Sequence, residues 1–286
     1  MLITELIKKV QRSRYEKFIF ILASAYAGYK FYLPAFMDFR GRIYRAGVLH
    51  FHERDLARSL IVFASDAPAL ERTPEESLKQ IRERLACAAA FKYTKFQSND
   101  KAALWYNDNL STLKESVFSL MNFAVQGSNP FQFLAYVLSN ERVSDNIDRV
   151  PVTQDASASA YQIMSYLLLN AEMGSLTNLL LSPDNEIQDI YSRLRDELKK
   201  FLRVIYEYDY KKYAIIESRL TRKLIKTLFM PLIYGKTVLT MASDIRECYG
   251  SLLDVKEYYN MAKSFHDFWV CKYPDIVNLM KFINRE

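Results

Sequence analysis

Arg222-Lys223-Leu224-Ile225-Lys226-Thr227-Leu228-Phe229-Met230-Pro231-Leu232-Ile233-Tyr234-Gly235 is the stretch from which the rest of the chain can be read. Steps of four residues place Arg222, Lys226, Met230 and Tyr234 on one slowly drifting stripe of a helix, so two cations and an aromatic ring line up toward one ligand. A nucleoside triphosphate matches that row. The same pattern also describes an amphipathic helix whose Lys and Arg lay their stems on apolar surface and keep their heads in water. Pro231 has no N–H to donate, and a kink is expected there. The Gly-Lys-Thr at 235–237 is not a phosphate loop, because Met230 stands where its first glycine belongs.

Helical spacing continues outward from this stretch, as in Leu194, Leu198, Phe201 and Ile205 and, at the other end of the chain, Leu2, Leu6 and Val10. Strand-like runs are confined to Arg42–Phe51 and Arg149–Gln154, which predicts a small sheet with helices packed around it. Turn-forming residues mark breaks at 66–74, 97–100, 126–130 and 182–185, and the last is the expected domain boundary.

The chain has 286 residues, half of them hydrophobic, enough to bury one large core or two modest ones. Its net charge of +6 favours a polyanionic partner. Cys87, Cys248 and Cys271 show no CxxC spacing, and with His50, His52 and His266 they complete no zinc pattern. The apolar run from Phe18 to Gly28 is about half of what crosses a bilayer. Glu5 and Glu16 argue against a transit peptide, and no targeting signal is visible.

Two further segments carry chemistry. Met37-Asp38-Phe39-Arg40-Gly41-Arg42-Ile43-Tyr44 sets two guanidiniums around a permissive glycine, a pattern that can fork onto phosphates and is also that of a solvated polar turn. In Val150 to Gln162, Asp155 stands at the end of a strand-like run before a helix, where a rigidly held carboxylate suits a hard cation such as Mg²⁺. Ser159 and Gln162 also fit a capping box, with Asp155 near the positive end of that helix.

In this order, the three segments resemble the blocks of single-subunit, bacteriophage-type DNA-dependent RNA polymerases, most closely the branch carried by mitochondrial linear plasmids. Asp38, Gly41 and Arg42 match the family's DxxGR block. Asp155, Ser157, Ser159 and Gln162 match motif A. Arg222, Lys226 and Tyr234 match motif B. Phe131 to Ala135 and Asp189 to Tyr191 are similar to family connecting sequence.

The resemblance implies an α+β, predominantly helical fold, a partial right-hand polymerase with a thumb remnant at 1–28, palm at 29–183 and truncated fingers at 184–286. It implies nucleotidyl transfer to an RNA 3′-hydroxyl by two Mg²⁺ ions, with a DNA template, an RNA product and ribonucleoside triphosphates as partners and no membrane. Asp155 is then a catalytic residue and metal ligand. Lys226 is catalytic and, with Arg222, holds the triphosphate, while Tyr234 and Gly235 complete the nucleotide site. Asp38, Arg40, Gly41 and Arg42 meet the template or hybrid, and the location is mitochondrial. The family's second metal-binding aspartate, in a His-Asp-Ser hairpin, is expected past Glu286. His266-Asp267-Phe268 lies too close to motif B, in an aromatic helical context, to replace it. The chain alone is thus expected to be inactive without a further C-terminal palm segment. Two rivals remain open, a non-catalytic nucleic-acid-binding remnant of such a polymerase and a basic helical interaction protein.

Overall fold

The computed structural model describes residues 2–39, 41–64, 74–141, 149–184 and 186–283. The chain forms two compact units, residues 1–154 and 155–286. Helices dominate both.

The first unit holds α1 (Leu2–Tyr26), the strands β1 (Ala35–Met37) and β2 (Ile43–Arg45), α2 (Asp55–Ser59), α3 (Pro74–Tyr93), α4 (Asn99–Asp108), α5 (Leu110–Glu115), α6 (Val117–Ala124) and α7 (Pro130–Glu141). Leu2, Leu6 and Val10 do lie on a helix, but all three are exposed, and α1 buries only Ile19, against Leu49, Leu56, Ala57 and Ile61. The small side chains of Ala86, Ala89 and Ala90 let α3 approach α4 and α7, where Tyr106, Phe133 and Val137 complete a second core. Asp55 fixes the start of α7 by accepting the N–H groups of Phe131 and Gln132 at 2.8 and 3.0 Å. Ser98, in the expected break before α4, accepts the Lys101 N–H at 3.2 Å as its N-cap. The break expected at 66–74 lies, save for Pro74, outside the described residues.

The sheet is smaller than the sequence suggests. β1 and β2 form one antiparallel hairpin with Met37 opposite Ile43, and the strand expected over Arg42–Phe51 stops at Arg45, two residues before the left-handed Gly47. Residues 149–154 form no strand. Pro151 lacks a donor, and the segment is tethered instead by the Phe63 N–H to the Arg149 carbonyl at 2.9 Å and by the Tyr136 hydroxyl to the Pro151 carbonyl at 2.8 Å.

The second unit holds α8 (Ser159–Leu167), α9 (Ala171–Leu176), α10 (Ile190–Ile205), α11 (Tyr210–Arg219), α12 (Arg222–Phe229), α13 (Val238–Tyr249), α14 (Val255–Lys272) and α15 (Pro274–Ile283). Leu194, Leu198 and Leu202, four residues apart on α10, meet Ile225, Leu228 and Phe229 of α12 and Phe265, Phe268 and Trp269 of α14 in one core. The break expected at 182–185 falls within the span of this unit, residue 185 lying outside the described residues. The Asn178 side chain bridges its flanks, donating to the Gln188 carbonyl at 2.9 Å and accepting the Gln188 N–H at 2.7 Å, so the chain closes there into a loop. No helix of the described residues is long and apolar enough to cross a membrane.

Candidate nucleotide-binding site

Helix α12 begins where Thr221 accepts the Leu224 N–H at 3.2 Å. It stays α-helical to Phe229 and then tightens into a 3-10 turn over Met230–Tyr234. Pro231 is the cause, and its effect is this change of pitch. Two carbonyls of the helix end are satisfied from elsewhere: the Lys236 ammonium donates to the Thr227 carbonyl at 2.9 Å, and the buried Tyr161 hydroxyl donates to that of Phe229 at 3.0 Å while accepting the Trp269 indole N–H at 2.9 Å. Gly235 ends the turn at φ 85°, a left-handed conformation that glycine adopts without strain. Lys236 also pairs with Asp244, and its side chain is only 7% exposed, so this lysine is spent on structure.

Arg222 and Lys226, one turn apart on α12, lie over one ring, that of Tyr191 in the first turn of α10. The Arg222 guanidinium lies 5.7 Å and the Lys226 ammonium 6.0 Å from its centroid. Tyr234, beyond the change of pitch, is 71% exposed. Tyr191 itself is buried and its hydroxyl has no hydrogen-bond partner. Burial pushes its pKa up to about 12; Arg222 works against the rise, Asp189 and Tyr234 with it.

Arg222 is held by Asp189, the N-cap of α10. Its Nε and Nη2 both donate to the carboxylate, Nη2 at 3.0 Å, and Asp189 also accepts the Tyr191 N–H at 3.2 Å and the Ser192 hydroxyl at 2.7 Å. Partial burial would raise the pKa of Asp189, but the bonds from Arg222 and Ser192 outweigh it and hold the carboxyl below the ordinary range.

Asp155 opens the same unit and is exposed, accepting its neighbour's N–H, that of Ala156, at 2.9 Å. The capping box expected from Ser159 and Gln162 does not form. The N-cap of α8 is Ala158, in a left-handed conformation at φ 60°, and the Gln162 amide donates instead to the Thr177 carbonyl at 2.7 Å. Asn178 joins this loop to the Arg222 side of the site, donating to Ser157 at 3.1 Å as well as bridging to Gln188, the residue before Asp189. No group of three or more His, Cys, Asp or Glu among the described residues could hold a metal. Asp155 can therefore contribute one carboxylate, which fits Mg²⁺ where a second carboxylate or substrate phosphates supply the remaining ligands.

Asp38, Gly41 and Arg42 form the tip of the β1–β2 hairpin in the first unit. Arg42 donates its N–H to the Asp38 carboxylate at 3.0 Å, and Gly41 takes φ 76° to close the turn. Arg42 is exposed, and Arg40 lies outside the described residues. His266 and Asp267 sit in the middle of α14, not on a hairpin.

One helical unit thus sets two cations over a ring and carries an exposed tyrosine and a loop-borne carboxylate. Residues 75–273 match the family described as DNA-dependent RNA polymerase, and the chain belongs to that family. It is 33% identical over 305 residues to a Zea mays protein named as a probable DNA-directed RNA polymerase, an alignment covering 98% of this chain and 28% of that one. It is 26% identical to the mitochondrial DNA-directed RNA polymerases of Neurospora crassa and Homo sapiens, over 76% and 72% of this chain but 15% and 17% of theirs. The chain thus spans between 15 and 28% of the length of these three relatives.

Proposed function

We propose that this chain carries the nucleotide-binding portion of a single-subunit, DNA-directed RNA polymerase, which adds ribonucleotides to an RNA 3′-hydroxyl on a DNA template. The convergence of Arg222 and Lys226 over Tyr191 carries this reading, because it places two cations side by side at the surface of one helix start. Arg222 and Lys226 hold the triphosphate, and Lys226 also offsets charge developing on the leaving pyrophosphate. Tyr234 lies by the sugar, and Gly235 ends the turn that carries it. Asp155 would hold Mg²⁺, which when bound neutralises the transferred phosphate and lowers the pKa of the RNA 3′-hydroxyl. Asp38, Arg40, Gly41 and Arg42 meet the template or the hybrid from the hairpin. In this reading residues 29–183 are palm, 184–286 fingers and 1–28 a piece of the thumb. The protein works in mitochondria, as the named relatives from Neurospora crassa and Homo sapiens suggest.

Titration of the full chain with labelled ribonucleoside triphosphate tests the site. A charge-assisted phosphate contact contributes about 1.5–3 kcal/mol, so Lys226→Ala should weaken binding about tenfold or more. Equal affinity of variant and parent would sink the assignment.

A further inference from the structure

We infer that Asp189 positions Arg222 for a phosphate ligand, gripping one edge of the guanidinium so that its other fork stays open; this rests on the nucleotide reading above. Asp189 is a fixed point. It caps α10 and takes the Tyr191 N–H at 3.2 Å and the Ser192 hydroxyl at 2.7 Å, so its carboxylate is set by the backbone of the helix it starts. Arg222 meets it side-on, through Nε and Nη2. A guanidinium has five N–H groups in a planar fork. This pairing uses two and leaves both on Nη1 and the second on Nη2, an end-on fork that can take two oxygens of a phosphate. The ligand therefore has no need to displace Asp189.

Tyr191 fixes the remaining freedom. Its ring lies against the guanidinium at 5.7 Å, and the Asp189–Tyr191 pair thus restrains both the edge and the face of Arg222. A long side chain that loses its rotamer freedom before the ligand arrives loses less on binding. Charge alone argues the other way, since a carboxylate beside a polyphosphate repels it. That charge is already matched by Arg222, however, and the gain from orientation is the larger effect.

The test is titration of the full chain with labelled ATP and Mg²⁺, on the parent, Asp189→Asn, Arg222→Ala, the double variant and Lys226→Ala. Asparagine is as good an N-cap as aspartate, and thermal unfolding of each variant checks that the fold is kept. Asp189→Asn should weaken binding by about threefold to tenfold. In the Arg222→Ala background the same change should cause no loss and, by removing a carboxylate that no cation matches any longer, leaves binding equal or slightly tighter, because Asp189 supports the ligand only through that side chain. Unchanged or tighter binding in Asp189→Asn, or a loss that persists without Arg222, overturns the inference. If Lys226→Ala leaves binding unchanged, the nucleotide reading itself fails; if Lys226→Ala weakens it and Asp189→Asn does not, only the positioning role falls.

Discussion

The Lys236 ammonium occupies the place of a missing backbone donor: it reaches the Thr227 carbonyl at 2.9 Å, the acceptor that Pro231, four residues on, has no N–H to serve. A lysine nine residues away in sequence thereby holds together the helix that carries Arg222 and Lys226. Lys236→Met should cost at least about 2 kcal/mol, the range for hydrogen bonds to charged groups, since it also leaves Asp244 without its partner. Pro231→Ala restores the local N–H, so in that background the same lysine change should cost clearly less. Urea unfolding of the four proteins measures this, and an equal cost in both backgrounds would show that the Thr227 contact contributes nothing.

Tyr191 should tolerate loss of its hydroxyl. That group is buried without a partner, whereas the ring supports two cations. Tyr191→Phe should be neutral or stabilising by up to about 1 kcal/mol, because removing an unsatisfied polar atom relieves a desolvation cost. A marked drop in the unfolding midpoint would reveal a hydroxyl contact of real weight.

The Asp189–Arg222 pair sets a pH dependence with a definite sign. The folded-state pKa of Asp189 lies below its unfolded value of about 4. The unfolded chain therefore takes up this proton first as pH falls, and the contribution of Asp189 to stability is full above about pH 4 and fades as pH drops through the depressed folded value. The stability difference between parent and Asp189→Asn should be flat near neutrality and shrink in acid. A difference that vanishes already between pH 6 and pH 5 would contradict the depressed value.

Residues 1–286 alone should not extend an RNA primer on a DNA template with Mg²⁺ and all four ribonucleotides. Among the described residues Asp155 belongs to no cluster of three or more metal-ligating side chains, and a poorly held second ion forfeits several kcal/mol of stabilisation, each 1.36 of which is about tenfold in rate. In a longer protein that extends primers, Asp155→Asn should abolish extension. Robust extension by residues 1–286, or full activity in that variant, overturns the role of Asp155.

Much of this was legible from local pattern. Apolar residues four apart report a helix wherever it packs, which is why α10 reads clearly, and Gly41 between charged residues marks a turn that the hairpin contains. The run at 149–154 misled because Val150 and Val152 alternate as in a strand, while Pro151 removes the donor a ladder needs. The Asp189-Ile-Tyr191 stretch was visible as family-like sequence, and an aspartate before an apolar helix start is a cap signal. Its pairing with Arg222 spans 33 residues, and no local period reports such a contact. Lys236 was set aside as part of a failed phosphate loop, and only the fold shows that its ammonium is turned inward.

Asn178 is left-handed at φ 60°, a conformation its short amide side chain tolerates better than most. Its one amide reaches Ser157, two residues from Asp155, and both backbone polar groups of Gln188, one residue from the carboxylate that grips Arg222. The site therefore has a keystone outside its own ligand-facing residues. The loop bearing the carboxylate and the helix start bearing the arginine's anchor are gauged against each other through a single side chain, and an error in its placement would put both out of true together.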